Sequence, residues 1–261
     1  MVINSKVQKL IKLKNMQVRK MKQLNDLQLE YFDTEYVNPT RWEIVKVLID
    51  KDFPDGNFKF LDVGGGNGVF TDRLLQSYPN SEGTVLDNSE LLLSKNLHHP
   101  RKNIICDSVE NLGNLNQKYD LINFNWVLHH LVGKSYNDSR NNMLSALHNV
   151  ESLLTDNGRV SIFENMYDGI FLDNLPSHLI FKLTSMKMIA GIIHKMGANT
   201  AGVGVCFLSK KQWVATLNKT HFSVQNYADD KESKSIIPLS HRIFLHLGHV
   251  RVGHFWLSKC V

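Results

Sequence analysis

Cysteine is scarce in this chain: Cys106, Cys206 and Cys260 are its only three, and they lie far apart. That number and spacing argue against a disulfide framework or a cysteine zinc site, and point to a reducing, cytoplasmic location. Long apolar runs are also missing. No window approaches roughly eighteen residues free of charge, so no membrane-spanning helix is expected. At the N-terminus, Lys6, Lys9, Lys12 and Lys14 interrupt the stretch that a secretory signal would keep apolar. Acids are absent before Asp26, whereas seven Lys/Arg fall between Lys6 and Lys22. Repeats and low-complexity linkers are absent too, so the 261 residues read as one domain with insertions.

What is present suits a packed globular chain. Hydrophobic residues make up 43%, enough for a sizeable core, and the net charge of +5 admits an acidic partner without requiring one. Helical spacing of Val7, Leu10, Ile11, Val18, Met21 and Leu24 predicts an amphipathic N-terminal helix. Its basic face is either solvated or in contact with a membrane surface or nucleic acid. A second helix is expected over residues 39–51. Strands are then expected at "FKFLDV", "GTVLD", "KNIIC", "YDLINFN" and "GRVSIFEN", alternating with helices over 69–78, 89–96 and 138–154. Such alternation predicts an α/β fold, a doubly wound and mostly parallel sheet with helices on both faces. The apolar stretch 177–196 predicts one helix, "SKKQ" at 209–212 a capping box, and "HFSVQNY" and "VRVGHFWLSK" the sixth and seventh strands.

The most informative stretch is "FLDVGGGNGVF" at 60–70, where a strand runs into glycines and then a helix. Backbone N–H groups at such a junction face a ligand. The dinucleotide fingerprint G-x-G-x-x-G fails in both registers, because it meets Val69 or Thr71 where glycine is needed. The pattern acid-x-G-x-G-x-G fits at Asp62, Gly64, Gly66 and Gly68, with Gly65 between. It resembles motif I of the class I S-adenosylmethionine-dependent methyltransferases. The resemblance implies a Rossmann-like seven-stranded sheet and S-adenosyl-L-methionine as cofactor. The glycines would admit its methionine part and ribose, and Asp62 would face its ammonium side. Asp87, with Asn88 beside it, would accept the ribose hydroxyls. Asp107 would accept from the adenine amino group, with Ser108 close by; Asp107 also fits a helix N-cap, and the two roles can coexist. Asn125, ending the fourth strand, completes the cofactor set. The resemblance covers about residues 57–165 well and 204–227 loosely, and the pattern along the chain divides it into an N-terminal helical cap (1–55), a cofactor-binding core (56–167), a helical lid inserted after the fifth strand (168–206) and the C-terminal part of the core sheet (207–261).

"LDVGGGNG" and "YPNSEGTVLDNSELL" are similar to the His-dependent small-molecule O-methyltransferases, whose V-L-H-D-W motif carries a general base. Here the motif reads Val127-Leu128-His129-His130-Leu131. His129 falls on the base position, His130 replaces the acid and Leu131 the tryptophan. That departure moves the chain toward the broader "LHH" methyltransferases, where such a histidine serves as base, shapes the pocket or is structural. A one-residue shift would exchange His129 with His130. Glu164 stands where the family has an acid that orients the base. No metal site is expected. The resemblance implies methyl transfer to a small apolar or aromatic molecule, with oxygen favoured. Alternatives are an RNA or tRNA methyltransferase, a non-catalytic cofactor-binding partner subunit, or a dehydrogenase. For nucleic acid stands the basic N-terminus; against it, Asn123-Phe124-Asn125-Trp126 lacks the Pro-Pro of adenine amino methylases. A homodimer is compatible with the sequence, although residues 1–55 are too short for the family's large dimerisation domain.

Overall fold

The structure is a computed structural model and describes residues 21–29, 36–195, 197–230 and 237–260. Most of the expected basic N-terminal helix, with its cluster from Lys6 to Lys20, lies outside the described residues. Its described end departs from expectation. Residues 21–25 are not helical, and the chain is pinned there by Met21 N–H to Glu110 (2.9 Å) and Lys22 N–H to the Val132 carbonyl (3.0 Å). One helical turn, α1 (Asp26–Leu29), follows.

Helix α2 (Pro39–Asp52) starts where its sequence dictates. The Asn38 side chain accepts from the Arg41 N–H, and Pro39 occupies the first turn, where no N–H is needed. Then come β1 (Lys59–Val63), α3 (Val69–Ser77), β2 (Glu82–Asp87), the short α4 (Glu90–Leu93), β3 (Lys102–Cys106), β4 (Tyr119–Asn125), α5 (Tyr136–Leu153) and β5 (Leu154–Gly169). Two 3-10 turns, Val109–Asn114 and Leu128–His130, were not expected from the sequence. Helices α6 (Leu175–Ser185), α7 (Ala190–Lys195) and α8 (Lys210–Leu217) precede β6 (Phe222–Asp229), α9 (Leu239–Phe244) and β7 (Leu247–Lys259).

The single sheet has the order β3-β2-β1-β4-β5-β7-β6. β7 is antiparallel to both of its neighbours, and the other pairings are parallel. β1 and β4 are buried almost throughout because helices cover both faces. One face packs Leu61, Ile122 and Val160 with α5 and α8; the other packs Phe60, Leu121 and Trp256 with α2 and α3. No helix among the described residues is long and apolar enough to cross a membrane.

The expected single helix over 177–196 is broken. Met186 is extended (ψ 106°), and α7 restarts only at Ala190 after a 3-10 turn. The Thr184 carbonyl, which an unbroken helix would offer to residue 188, instead accepts from the Gly202 N–H at 2.7 Å. The Thr184 hydroxyl also bonds back to the Ile180 carbonyl at 2.7 Å, which favours bending. The capping box is present as read: Gln212 N–H to the Ser209 hydroxyl (3.0 Å) and Ser209 N–H to the Gln212 side chain (3.1 Å).

Candidate functional site

At the carboxyl ends of β1, β2 and β4 lies a cavity of about 530 Å³, within the range of small-ligand sites. Its floor is the loop from Gly64 to Asn67, between β1 and α3. Each glycine of that loop answers a different constraint. A β-carbon on Gly64 would stand 1.9 Å from Val127, and one on Gly65 would stand 2.7 Å from the Asp62 carboxyl. Gly68 adopts φ +74° as the N-cap of α3, and a β-carbon there would strike the Asn96 side chain at 1.9 Å. Gly66 (φ +51°) is the open one, with its nearest neighbour Leu92 at 3.4 Å. Gly64, Gly65 and Gly66 line the cavity; Gly68 does not.

Polar groups converge on this floor. Asp62 is 1% exposed; one carboxyl oxygen accepts from Thr71 (3.0 Å), and the other, Oδ1, has no partner. Both side-chain amide atoms of Asn125, which also lines the cavity, are buried without a hydrogen bond. These orphaned atoms suit a bound group that donates to a carboxylate, as an ammonium does. Burial pushes the Asp62 pKa up to about 7; the Thr71 hydroxyl opposes the shift, the Asp87 charge adds to it, and the neighbouring Asn125 amide opposes it more weakly. Asp87 is fixed by the Gly66 N–H (3.1 Å) and the Ser89 N–H (2.8 Å), with lone pairs left for a diol. Burial raises its pKa as well. Asn88, Ser108 and Val109 continue the wall. Asp107 does not line the cavity: it accepts from its own neighbour Ser108 N–H and from Asn111, both at 2.7 Å. Both contacts are local, and the N-cap of the following 3-10 turn is Ser108, whose hydroxyl accepts from the Glu110 N–H.

An ammonium ligand on Asp62 would return that carboxyl to its ionised form. At pH 6, where the free carboxyl is largely protonated, binding should release about one proton, and above pH 8 almost none. Calorimetry at pH 6 in two buffers of different ionisation enthalpy measures this. Equal heats would separate Asp62 from the ligand's cation.

The two histidines sit in the turn after β4 and point to different places. His129 is 4% exposed and outside the cavity wall. Its Nδ1 meets Glu164 Oε2 at 2.5 Å, while Glu164 Oε1 accepts from the Leu128 N–H (2.9 Å) and the His129 N–H (3.3 Å). The His129 carbonyl accepts from the Cys206 N–H at 2.9 Å. Glu164 thus ties the whole Leu128–His130 turn to β5. Burial keeps the His129 ring neutral and raises Glu164. His130 lines the cavity, its ring 4.1 Å from that of His129. Burial first, then the neighbouring His129, holds the His130 pKa well below 6.5.

Several lining residues were not singled out in the sequence, although the N-terminal segment was expected as a cap. Glu110 reaches the wall from a 3-10 turn and holds Met21. Met21 to Leu24 and Leu29 roof the cavity, and Lys22 Nζ bonds the Val203 carbonyl opposite (3.2 Å). Trp126, at φ +56°, is a rare non-glycine in the left-handed region. Its ring stacks on Phe163 (5.3 Å, 4°), lies under the Arg41 guanidinium (4.9 Å) and faces Tyr36 (5.6 Å). "DxGxGxG" has a recognisable spacing; positive φ at a tryptophan has none.

Comparison with known proteins agrees with this geometry. Residues 61–160 match the family described as "Methyltransferase domain". A curated relative, malonyl-[acyl-carrier protein] O-methyltransferase 1 of Ilyobacter polytropus, is 36% identical over 78 residues, covering 27% of this chain. The match spans 29% of that relative's length. Among solved structures, a Leishmania major S-adenosylmethionine-dependent methyltransferase aligns over 88% of this chain and 76% of its own, with TM-score 0.58 and 16% identity. An O-methyltransferase from a polyketide multienzyme of Brevibacillus brevis, solved with S-adenosyl-L-homocysteine, aligns over 86% and 78%, with TM-score 0.51 and 14% identity. At these identities the structural likeness speaks for the fold.

Proposed function

We propose, from the premise that residues 61–160 are a methyltransferase domain of the class I S-adenosylmethionine-dependent kind, that the protein methylates a small apolar or aromatic molecule, preferentially at oxygen, with S-adenosyl-L-methionine as donor. The observation that carries this reading is the cavity itself. It joins the open face of Gly66 and the unpartnered Asp62 oxygen at one side to the His130 ring at the other. Asp62 and Asn125 would hold the donor's amino-acid end, Asp87 its ribose, and Leu92, Ser108 and Val109 its base. When bound, the cofactor supplies a methyl group already activated on sulfur. The chain then has three tasks: orienting the acceptor, excluding water and taking a proton from it.

The segment 21–24 and Val203 close over the cavity and serve the second task. Leu29, Tyr36, Trp126 and Leu131 give the remaining wall an apolar and aromatic character that suits a small acceptor. His130 serves the third. Its ring is neutral at pH 7 and can accept a proton from a hydroxyl. His129 and Glu164 are positioning residues in this reading, because they fix the turn from behind. The curated O-methyltransferase relative, matched over 78 residues, supports the choice of oxygen.

The test is calorimetry of the full chain with S-adenosyl-L-methionine and S-adenosyl-L-homocysteine, followed by a methyl-transfer screen over phenols, carboxylic acids and amines. Binding of both cofactor forms with turnover of a hydroxyl acceptor is expected. Absence of binding would overturn the reading, and binding without turnover on any class would make the protein a non-catalytic partner.

A further inference from the structure

Fifteen large apolar side chains stand exposed among the described residues, and nine of them fall in two segments, 170–192 and 239–244. Met188 is 96% and Phe171 86% exposed, and no residue of α9 is buried. Residues 170–180 lie beside the end of the second segment. The Ile170 N–H bonds the His246 carbonyl (3.2 Å), the Phe171 ring lies 5.6 Å from His246, and Ile180 packs with Leu245 and Leu247. The first segment also adjoins the cavity. The Gly202 N–H ties Thr184 to the loop that carries Val203 and Gly204 on the cavity rim. Clustered exposure of this size marks an interaction surface rather than the scattered apolar residues of an ordinary monomer.

The charge around it is mostly basic: Asp168 and Asp173 flank Phe171, but Asp168 is paired with Arg251 and Asp173 accepts from the Ser209 hydroxyl. From Asn174 to Ala228 there is no Asp or Glu, and there are six lysines, among them Lys182, Lys187 and Lys195. Lys187 is near enough to Lys22 on the rim for its charge to be felt there. Apolar side chains on turns and short helices, set among cations, match the boundary between anionic headgroups and acyl chains. Insertion there needs no shaped groove, and Met188 and Phe171 project without one.

We propose that these exposed segments, through Phe171 and through Lys187, Met188 and Ile192, dock the protein on an anionic lipid surface. The docking stands apart from the methyl-transfer reading. Entry of an apolar acceptor from the bilayer into the adjoining cavity would rest on both.

The experiment is vesicle flotation of the full chain with phosphatidylcholine alone and with phosphatidylcholine containing phosphatidylserine. Capture by the anionic vesicles, reversed by high salt, is expected. Phe171→Ser and Met188→Ser should each lower partitioning by about tenfold, the effect of withdrawing part of one large apolar side chain from lipid. Val47→Ser on α2, also an exposed site, should change nothing. Unchanged Tm and cofactor heats in the variants would keep the result specific to docking. Equal capture by both vesicle types, no capture by either, or indifference to Phe171→Ser and Met188→Ser would overturn the proposal. So would binding to an acidic carrier protein or to RNA with no vesicle binding.

Discussion

Gly66→Val should abolish donor binding while leaving a folded chain. At φ +51° a branched side chain is strained, and its methyl groups would stand in the open space above the loop. With Leu92 at 3.4 Å behind it, the side chain has no retreat except into the cavity. The expected loss is at least about a hundredfold in affinity, near 3 kcal/mol, from occupied ligand space, while the strain lowers Tm. Calorimetry reads the affinity and thermal melting reads the fold. Affinity close to wild type would remove the loop from the donor site. Gly68→Ala is the informative contrast, because its β-carbon meets Asn96 rather than ligand space. It should lower Tm more than it lowers affinity per folded molecule.

The second large effect concerns the histidines. His130→Ala should lower turnover by about 10² to 10⁴ on a hydroxyl acceptor, with donor affinity nearly unchanged. His129→Ala should act differently. It removes the partner of a buried carboxyl, so it should cost about 1–3 kcal/mol of stability and slow the reaction less, through a loosened turn. The pH profile separates the roles further. A depressed pKa keeps His130 neutral to lower pH than a free imidazole, so the rate should stay level from pH 8 through pH 6. A full loss at His129→Ala with normal rates at His130→Ala would reverse the assignment. Little loss at either would point to an acceptor that holds no proton to remove.

The sheet was readable because parallel strands buried on both faces are written as apolar runs, and "KFLDV" and "LINFN" are such runs. The glycine loop was readable because its constraint is a spacing. The cap at Asn38–Pro39 and the Ser209–Gln212 box were readable because they are local chemistry. What failed to show were features decided by distant partners. The break at Met186 depends on the Gly202 N–H taking a helix carbonyl, and nothing within 177–196 encodes that. The non-helical path of residues 21–25 depends on Glu110 and Val132. Which of two adjacent histidines meets the cavity depends on the phase of a three-residue turn held by Glu164, and periodicity has no say over so short an element.

The position of β7 between β5 and β6 has a consequence for how the chain is made. Among the described residues β6 pairs with β7 alone, so it emerges from the ribosome before that neighbour exists. Until residues 247–259 follow, β5 also presents a free edge along most of its length. Two unpaired strand edges therefore wait on β7, and they are the surfaces through which nascent sheets associate wrongly. Closure of the sheet is a late, long-range event. A chain stopped before residue 247 would carry the complete glycine loop and most of the cavity wall on a sheet that cannot be sealed.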